Sequence, residues 1–266
     1  MKIDGKRVLL TGATGGLGRA IAEALAGAGA TLALSSRKAE ELTELSGGLA
    51  GAEHRVVVAD LALDGSADRL VAEAGDVDIL VANAGLPATG KIDDFSEQEI
   101  SRAVRVNLEA PMRMARLLVP AMLERGEGHL VFVASLAGKA PAPRSSVYNA
   151  TKFGLRGFAL GLRCDLAGTG VGVSLVAPGF VRDAGMFADA GAKPPPGLGT
   201  TSPGKVAAAV VRAITRDKPE IAVAPRRQRA LAHFALISPA TAVRVNSGNT
   251  ARKSAQSLAD GQLEKR

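Results

Sequence analysis

The sequence predicts an α/β fold with a doubly wound parallel sheet, in which helices cover both faces and three α/β/α layers result. Short apolar runs without polar alternation recur along the chain, as expected of strands that are buried on both faces. Stretches of helical length separate these runs, and strand–helix alternation requires right-handed crossovers between parallel strands. A parallel sheet of this kind binds ligands at the carboxyl ends of its strands.

The alternation places each element along the chain. The predicted strands cover residues 8–11, 31–35, 55–58, 79–83, 129–134, 171–177 and 220–224. The predicted helices cover residues 17–28, 39–49, 65–73, 96–125, 145–167 and 202–216. Residues 185–203, which are rich in glycine and proline, are predicted to form a long loop. We therefore expect one domain over residues 1–225 and a basic C-terminal extension over residues 226–266, partly helical and then tail-like.

Composition excludes several classes of protein. With 47% hydrophobic and 22% charged residues in 266, the chain is globular rather than disordered. One cysteine excludes an intramolecular disulfide framework, and three scattered histidines disfavour a metal site, so we expect none. Aromatic residues make up 3%, which disfavours single-strand nucleic-acid binding by base stacking.

The net charge of +7 is concentrated in one part of the chain. Residues 1–200 hold 21 Lys/Arg and 22 Asp/Glu, whereas residues 201–266 hold 12 and 4. Within that basic quarter, residues 226–237 fit an amphipathic helix that Pro239 would end or break. The favoured interpretation is a packed helix with a solvated basic side. Attachment to an anionic membrane surface stays open, and we expect no nucleic-acid partner.

Nothing in the sequence is typical of a secretory signal or a membrane span. The apolar run at residues 8–10 is too short for either. The expected location is therefore the cytoplasm, with membrane association through the C-terminal segment as the open alternative.

A glycine-rich turn leads from the first predicted strand into the first helix. Such a turn lets backbone amides approach a pyrophosphate at the positive end of the helix, as in the Rossmann fold. The spacing fits either of two patterns, in which Gly12 and Gly18 are joined by Gly15 or by Gly16. A tight packing turn is the alternative to dinucleotide binding. The residues predicted to contact the dinucleotide here are Gly12, Thr14, Gly16, Leu17 and Gly18.

The end of the second strand bears on which nicotinamide cofactor binds. A carboxylate at this position accepts hydrogen bonds from the adenosine ribose, whereas a basic residue pairs with a 2′-phosphate. The chain has Ser36 and Arg37 there and no carboxylate. Because guanidinium suits bidentate phosphate contact, this position favours NADP. The alternative is an exposed arginine at a helix start.

Tyr148, the one tyrosine of the chain, lies four residues before Lys152 at the start of a predicted helix. Residues with this spacing share one helical face. A free tyrosine has a pKa of about 10, and a nearby ammonium group is expected to lower it. The pair is thus a candidate acid/base unit for interconverting a carbonyl and an alcohol.

Together these motifs resemble the classical short-chain dehydrogenases/reductases, and the resemblance extends over residues 5–225. Its motifs are the glycine turn at residues 11–18, Asn83-Ala84-Gly85, Ser135 with Tyr148 and Lys152, and Pro178-Gly179. Ser135 precedes Tyr148 by thirteen residues, which is similar to the spacing in that family. Asn107 falls where the family carries a helix asparagine.

The resemblance implies a role for each matched residue. Tyr148 would exchange a proton with the substrate. Lys152 would lower the pKa of Tyr148 and hold the nicotinamide ribose. Ser135 would hydrogen-bond the substrate oxygen, and Asn107 would anchor a water that leads protons to Lys152. The other implied cofactor contacts are Asp60 and Leu61 at the adenine, Asn83, Ala84 and Gly85 after the fourth strand, and Pro178, Gly179 and Val181 beside the nicotinamide.

One position departs from the family. Asp183 stands where the family usually has a threonine that contacts the nicotinamide carboxamide. A carboxylate accepts a hydrogen bond there but cannot donate one.

The sequence therefore predicts an NADP-dependent oxidoreductase, assembled as a homodimer or homotetramer, that interconverts a carbonyl and an alcohol. Residues 184–200 carry Met186, Phe187 and Leu198 and could close an apolar pocket, which favours a medium-sized apolar substrate. The alternative is a protein of the same fold that isomerises a sugar nucleotide or has a regulatory role without catalysis.

Overall fold

The fold is built on one parallel β-sheet of seven strands, seen in a computed structural model that describes residues 1–51, 53–192 and 194–262. The strands are β1 Arg7–Thr11, β2 Thr31–Ser36, β3 Arg55–Val58, β4 Ile79–Ala82, β5 Gly128–Val133, β6 Val171–Pro178 and β7 Glu220–Val223. Their order is β3-β2-β1-β4-β5-β6-β7, and every neighbouring pair is parallel. The strand order reverses between β1 and β4, so a crevice opens at their carboxyl ends.

The helices lie between the strands and after the last one. They are α1 Gly16–Ala26, α2 Ala39–Gly48, α3 Ser66–Ala74, α4 Glu97–Val104, α5 Ala110–Arg125, α6 Ser146–Asp165, α7 Met186–Asp189, α8 Pro203–Arg216, α9 Arg226–Ile237, α10 Pro239–Asn246 and α11 Asn249–Asp260. The predicted three-layer α/β/α fold is confirmed.

Each face of the sheet is covered by its own hydrophobic core. On one face, Ile21 and Leu25 of α1 pack with Val210 of α8 against the strands. On the other face, Met114 of α5 and Leu155 of α6 pack with α3 in the same way. Since both faces are covered, β4 and β5 are buried along their whole length, which explains their apolar runs.

The single helix predicted over residues 96–125 is interrupted. A π-helical segment, Arg105–Glu109, separates α4 from α5. Pro111 stands in the first turn of α5 and has no N–H, so the α-helical hydrogen-bond ladder loses a donor there. The segment carries Asn107, whose side chain is fully buried, and π-helical turns are frequent at functional sites.

The C-terminal extension is helical farther than its composition predicts. Residues after 247, which we expected to be tail-like, form α11 through Asp260. The end of this helix is anchored, because Ala259 and Gln262 are buried. Pro239 does not simply end α9; it occupies the first position of α10, where its missing N–H has no cost. In the part of the chain that the structure describes, no helix has both the length and the apolar character to cross a membrane.

Candidate active site

Hydrogen bonds join the carboxyl ends of β1 and β4 at the switch point of the sheet. The Thr11 hydroxyl accepts from the backbone amides of Asn83 and Ala84, both at 3.1 Å. The side-chain amide of Asn83 donates to the carbonyls of Thr11 and Gly12, also at 3.1 Å. This cluster, the Thr11–Asn83 joint, fixes where the chain leaves β1 and therefore where the glycine turn lies.

The glycine turn packs so tightly that side chains are excluded. Gly12 has φ +65°, and a Cβ there would lie 2.8 Å from Cα of Ala84. A Cβ at Gly18 would overlap the Gly12 carbonyl, and one at Gly16 would overlap Ala184. At Gly15 it would only reach the Gly12 oxygen at 3.4 Å, which can be tolerated. The structure thus fits the pattern in which Gly16 rather than Gly15 is required.

The start of α1 fits a nucleotide phosphate. Gly15 occupies the N-cap and provides no side-chain hydrogen bond, and no acidic residue stands in the first turn. The first amides of the helix, beginning at Gly16 and Leu17, therefore have no side-chain acceptor from this cap. Arg19 steadies the turn by donating from Nε to the Thr14 carbonyl at 3.2 Å.

Basic side chains surround the end of β2. Glu41 pairs with Lys38 at 2.5 Å and with Arg19 at 3.4 Å. Arg37 is exposed, and within residues 1–51, 53–192 and 194–262 it forms no ion pair. The Ser36 hydroxyl accepts from the amide of Lys38 at 3.1 Å. An unpaired guanidinium therefore stands at the end of β2, the position for which the sequence predicts contact with the adenosine ribose.

Asp60 and Leu61 follow β3 at the same edge of the sheet. The Asp60 carboxylate accepts from the amide of Ala62 at 2.9 Å, so it closes its own turn. Leu61 is buried against the core beneath that turn. One Asp60 oxygen is thus committed to the loop, and this residue has a structural function whatever else it contacts.

Ser135, Tyr148 and Lys152 come together at the ends of β5 and α6. Ser135 starts the short 3₁₀ turn Leu136–Gly138, and its hydroxyl accepts from the amide of Ala137 at 3.1 Å. The Ser135 side chain lies close enough to the Tyr148 hydroxyl to act on the tyrosine pKa. Lys152, one helical turn after Tyr148, holds its ammonium 5.7 Å from the centre of the phenol ring and donates to the Val133 carbonyl at 3.2 Å.

Burial shifts the two ionisable groups in opposite directions. Desolvation raises the pKa of Tyr148 to about 12, although the Ser135 side chain acts to lower it. Desolvation also lowers the pKa of Lys152 to about 8. We expected the ammonium to lower the tyrosine pKa, but removal from water dominates because it penalises both charged forms. The phenol is therefore protonated at neutral pH and able to donate a proton.

Asn107 connects the loop after β4 to α6, the helix that carries Tyr148 and Lys152. Its side chain accepts from the amide of Leu86 at 2.7 Å and donates to the Leu86 carbonyl at 3.0 Å. It also donates to the Thr151 hydroxyl at 3.4 Å. Its amide oxygen lies near Gly85, where a Cβ would be 3.3 Å from that oxygen and 3.8 Å from the Lys152 ammonium. The absent side chain of Gly85 thus leaves the centre of the site open.

The segment after β6 lies over this centre. A Cβ at Gly179 would overlap the Gln228 side chain, and Val181 forms an isolated bridge with Thr201 that ties the segment down beyond Pro178. Asp183 has φ +68° and pairs with Arg182 at 3.1 Å while 70% of its side chain stays exposed. Its carboxylate is therefore directed to solvent and to Arg182 rather than into the site.

Residues 184–190 close the site from above. Ala184 packs so closely on Gly16 that no side chain would fit between them, and the Met186 methyl lies 3.3 Å from where a Cβ of Gly85 would be. The C-terminal segment holds this loop down, because Gln262 donates to the Met186 carbonyl at 2.9 Å and accepts from the Thr89 hydroxyl at 2.6 Å. A dinucleotide that runs along the glycine turn requires Ala184 to move away from Gly16.

Four residues that our sequence prediction did not single out build this site. Thr11 supports the glycine turn, and Asn149 donates to the carbonyls of Ala137 and Ala140 and so shapes the loop that follows Ser135. Gln228 donates to the Gly199 carbonyl at 2.7 Å, and Gln262 holds Met186. The sequence assigned them no role, since Thr11, Gln228 and Gln262 act on groups distant in sequence and Asn149 acts on the shape of a nearby loop.

The chain offers a direct measurement of the Tyr148 pKa, because it contains one tyrosine and no tryptophan. We expect the folded protein to show about 1% tyrosinate at pH 10, where an ordinary tyrosine is half ionised. Near-ultraviolet difference absorbance measures this fraction, circular dichroism verifies that the fold persists, and the denatured chain supplies the reference. Half ionisation of the folded protein at pH 10 would contradict the raised value.

Comparisons with known proteins agree with this geometry. The family model described as short chain dehydrogenase matches residues 6–194. The chain is 40% identical over 227 residues to "Ketoacyl reductase HetN" from a Nostoc strain, covering 83% of this chain and 79% of that protein. It is 36% identical over 185 residues to mouse "Dehydrogenase/reductase SDR family member 7B", covering 66% of this chain and 57% of that one.

Solved structures give the same result. A metagenomic short-chain oxidoreductase in complex with NADP superposes with a TM-score of 0.71 at 31% identity, covering 85% of this chain and 99% of that one. The 3-ketoacyl-(acyl-carrier-protein) reductase from Brucella melitensis, complexed with NADH, has a TM-score of 0.73 at 26% identity, covering 83% and 98%. This chain belongs to the short-chain dehydrogenase family of oxidoreductases.

Proposed function

We propose that this oxidoreductase uses NADP to interconvert a carbonyl and an alcohol, with Tyr148 as the general acid/base. The observation that carries the proposal is the convergence of the Ser135 and Tyr148 side chains, with the Lys152 ammonium 5.7 Å from the centre of the phenol ring. Two hydroxyls that converge at the carboxyl edge of the sheet can hold one substrate oxygen between them.

The chemistry divides between the cofactor and the chain. A nicotinamide cofactor supplies a hydride when bound. Ser135 and Tyr148 both orient the substrate oxygen, and Tyr148 donates its proton as negative charge develops on that oxygen. The Lys152 ammonium stabilises the phenolate that remains. Asn107 is hydrogen-bonded to both Leu86 and Thr151, and it thereby holds the loop after β4 in position against α6.

The preference for NADP rests on charge at the end of β2. Arg37 is exposed there, while Glu41 in the following helix is already paired with Lys38 and Arg19. A 2′-phosphate would gain a charge-assisted hydrogen bond from Arg37. The related oxidoreductase solved with NADP supports this preference, and the one solved with NADH marks the alternative.

The substrate side of the site is apolar. The tilted rings of Phe180 and Phe187 contact each other with centres 4.8 Å apart, and the Met186 methyl lies beside Gly85. This lining supports a medium-sized apolar carbonyl compound, and the similarity to a protein named ketoacyl reductase is consistent with it. No contact in the site favours a sugar nucleotide among the described residues.

The first prediction concerns proton transfer. Tyr148→Phe removes the proton donor but keeps the ring, so we expect turnover to fall by a factor of about 10²–10⁴. NADPH binding, measured by its fluorescence on titration, should be retained. Phe158→Leu is the control for general damage to α6, because it changes a partly buried ring of the same helix that contacts Phe132. Turnover near that of the unmodified enzyme would remove Tyr148 from the mechanism.

The second prediction concerns the choice of cofactor. Arg37→Ala removes the phosphate partner, so we expect NADPH affinity to fall about tenfold or more while NADH affinity changes little. Lys38→Ala is the matched control, since Lys38 is exposed next to Arg37 but is paired with Glu41. Equal losses for both cofactors in Arg37→Ala would contradict the proposed preference.

The third prediction concerns the closing loop. Gln262→Ala leaves the Met186 carbonyl and the Thr89 hydroxyl without their partner, so we expect the substrate KM to rise about tenfold. Because the catalytic hydroxyls are untouched, kcat should change less. Gln256→Ala, one and a half turns earlier on the same segment, is the control. An unchanged KM would show that Gln262 does not hold the loop in the working enzyme.

A further inference from the structure

The turn from α9 to α10 presents large apolar side chains to solvent. Ile237 is 82% exposed, Val245 62%, Val243 51%, Leu231 49% and Phe234 44%. These five residues are called the apolar corner below. A helix on a globular protein normally turns such residues toward the core, so their exposure calls for a partner.

Apart from Gln228, the inward side of the same helices is made of small residues. Ala232 and Ala235 of α9 and Ala242 of α10 are almost fully buried, with exposed fractions of 2%, 4% and 5%. Small residues face the protein while large apolar ones face away from it. The corner is therefore suited to contact something outside the chain.

The arginines of α9 and α10 are the charged residues that flank the apolar corner along the chain. Residues 226–246 contain four arginines and no carboxylate. Arg226, Arg227 and Arg229 stand in the first turn of α9, and Arg244 stands in the last turn of α10. All four are exposed, and none forms an ion pair with another residue that the structure describes. Apolar side chains at a helix junction with arginines on both sides match the pattern of helices that lie in a membrane interface.

We propose that the apolar corner and its arginines dock on an anionic lipid surface, with Leu231, Phe234 and Ile237 entering the interface. A second copy of the chain is the competing partner. Pairing two such corners would bring arginines against arginines, which opposes association. Anionic headgroups instead neutralise them.

Docking would place the substrate loop near the lipid. Gln228, on the buried side of α9, donates to the carbonyls of Leu198 and Gly199, and it accepts from the amide of Phe180 at 3.3 Å. The helix that would touch the membrane thus also holds both ends of the segment that covers the site. An apolar substrate could pass between lipid and site without crossing open water.

Vesicle cosedimentation of the full chain with NADPH tests the proposal. We expect binding to vesicles of phosphatidylcholine with phosphatidylserine, little binding to phosphatidylcholine alone, and weaker binding in high salt, which screens the arginines. Binding to both compositions alike, or to neither, would overturn the proposal.

Matched variants separate docking from misfolding. Ile237→Asp should weaken binding by about tenfold or more, whereas Ile92→Asp, at an isoleucine that is 60% exposed elsewhere, should not. Arg226→Glu with Arg229→Glu should abolish binding to anionic vesicles, and Arg212→Glu with Arg216→Glu on α8 is the control. Solution activity should be unchanged in all four variants.

Sedimentation velocity decides between lipid and a second copy. If the intact chain forms a dimer that Ile237→Asp dissociates, and it does not bind vesicles, then the corner is a subunit contact and the proposal is wrong. A chain whose assembly state is the same with and without Ile237→Asp, and that binds anionic vesicles, supports it.

Discussion

The site depends on the Thr11–Asn83 joint, because that cluster sets where the glycine turn lies relative to the catalytic helix. Parallel strands bring their carboxyl ends to one edge, but they do not fix how the connecting loops leave that edge. Here the Thr11 hydroxyl accepts from the backbone amides that follow β4, and the Asn83 side-chain amide donates to the backbone carbonyls at the end of β1. The loop after β4 then continues to Leu86, where Asn107 holds it against α6. The glycine turn and the helix of Tyr148 are thus linked through hydrogen bonds of 2.7 to 3.4 Å that are partly or fully buried.

The electrostatics of the site follow from burial rather than from a direct ion pair. Removal from water keeps the Tyr148 phenol protonated and makes the Lys152 ammonium easier to neutralise. Both shifts favour states in which the pair carries little charge before the reaction. Charge that develops on a substrate oxygen would then be met by groups that water no longer screens, so their interaction with it is strengthened. The same burial that keeps Tyr148 protonated makes it a weaker acid, so proton transfer depends on stabilisation of the phenolate by the Lys152 ammonium.

Most of the fold and the chemical centre could be predicted from local sequence, and the supports of that centre could not. The apolar runs predicted all seven strands, and the Ser135, Tyr148 and Lys152 spacing predicted residues that do come together. The apolar runs and the Tyr148–Lys152 spacing are local signals, whereas Ser135, thirteen residues before Tyr148, was predicted from the resemblance to the family. Gln228, Gln262 and Asn149 act on backbone far away in sequence or on loop shape, which no local period records. The tyrosine pKa was also predicted in the wrong direction, because sequence shows a neighbouring charge but not the loss of water.

The basic C-terminal quarter has an inner side that contacts the loop over the site and an outer side that faces solvent. Its inner side supplies Gln228 and Gln262, which hold the loop over the site at two points. Its outer side carries the apolar corner, whose exposed residues cannot be explained by packing within the chain. Because α9 carries both residues of the apolar corner and Gln228, one short helix connects the corner to the loop, without involving the sheet. A membrane contact would therefore bear first on substrate entry, and the hydrogen bonds among Ser135, Tyr148 and their neighbours would stay as they are.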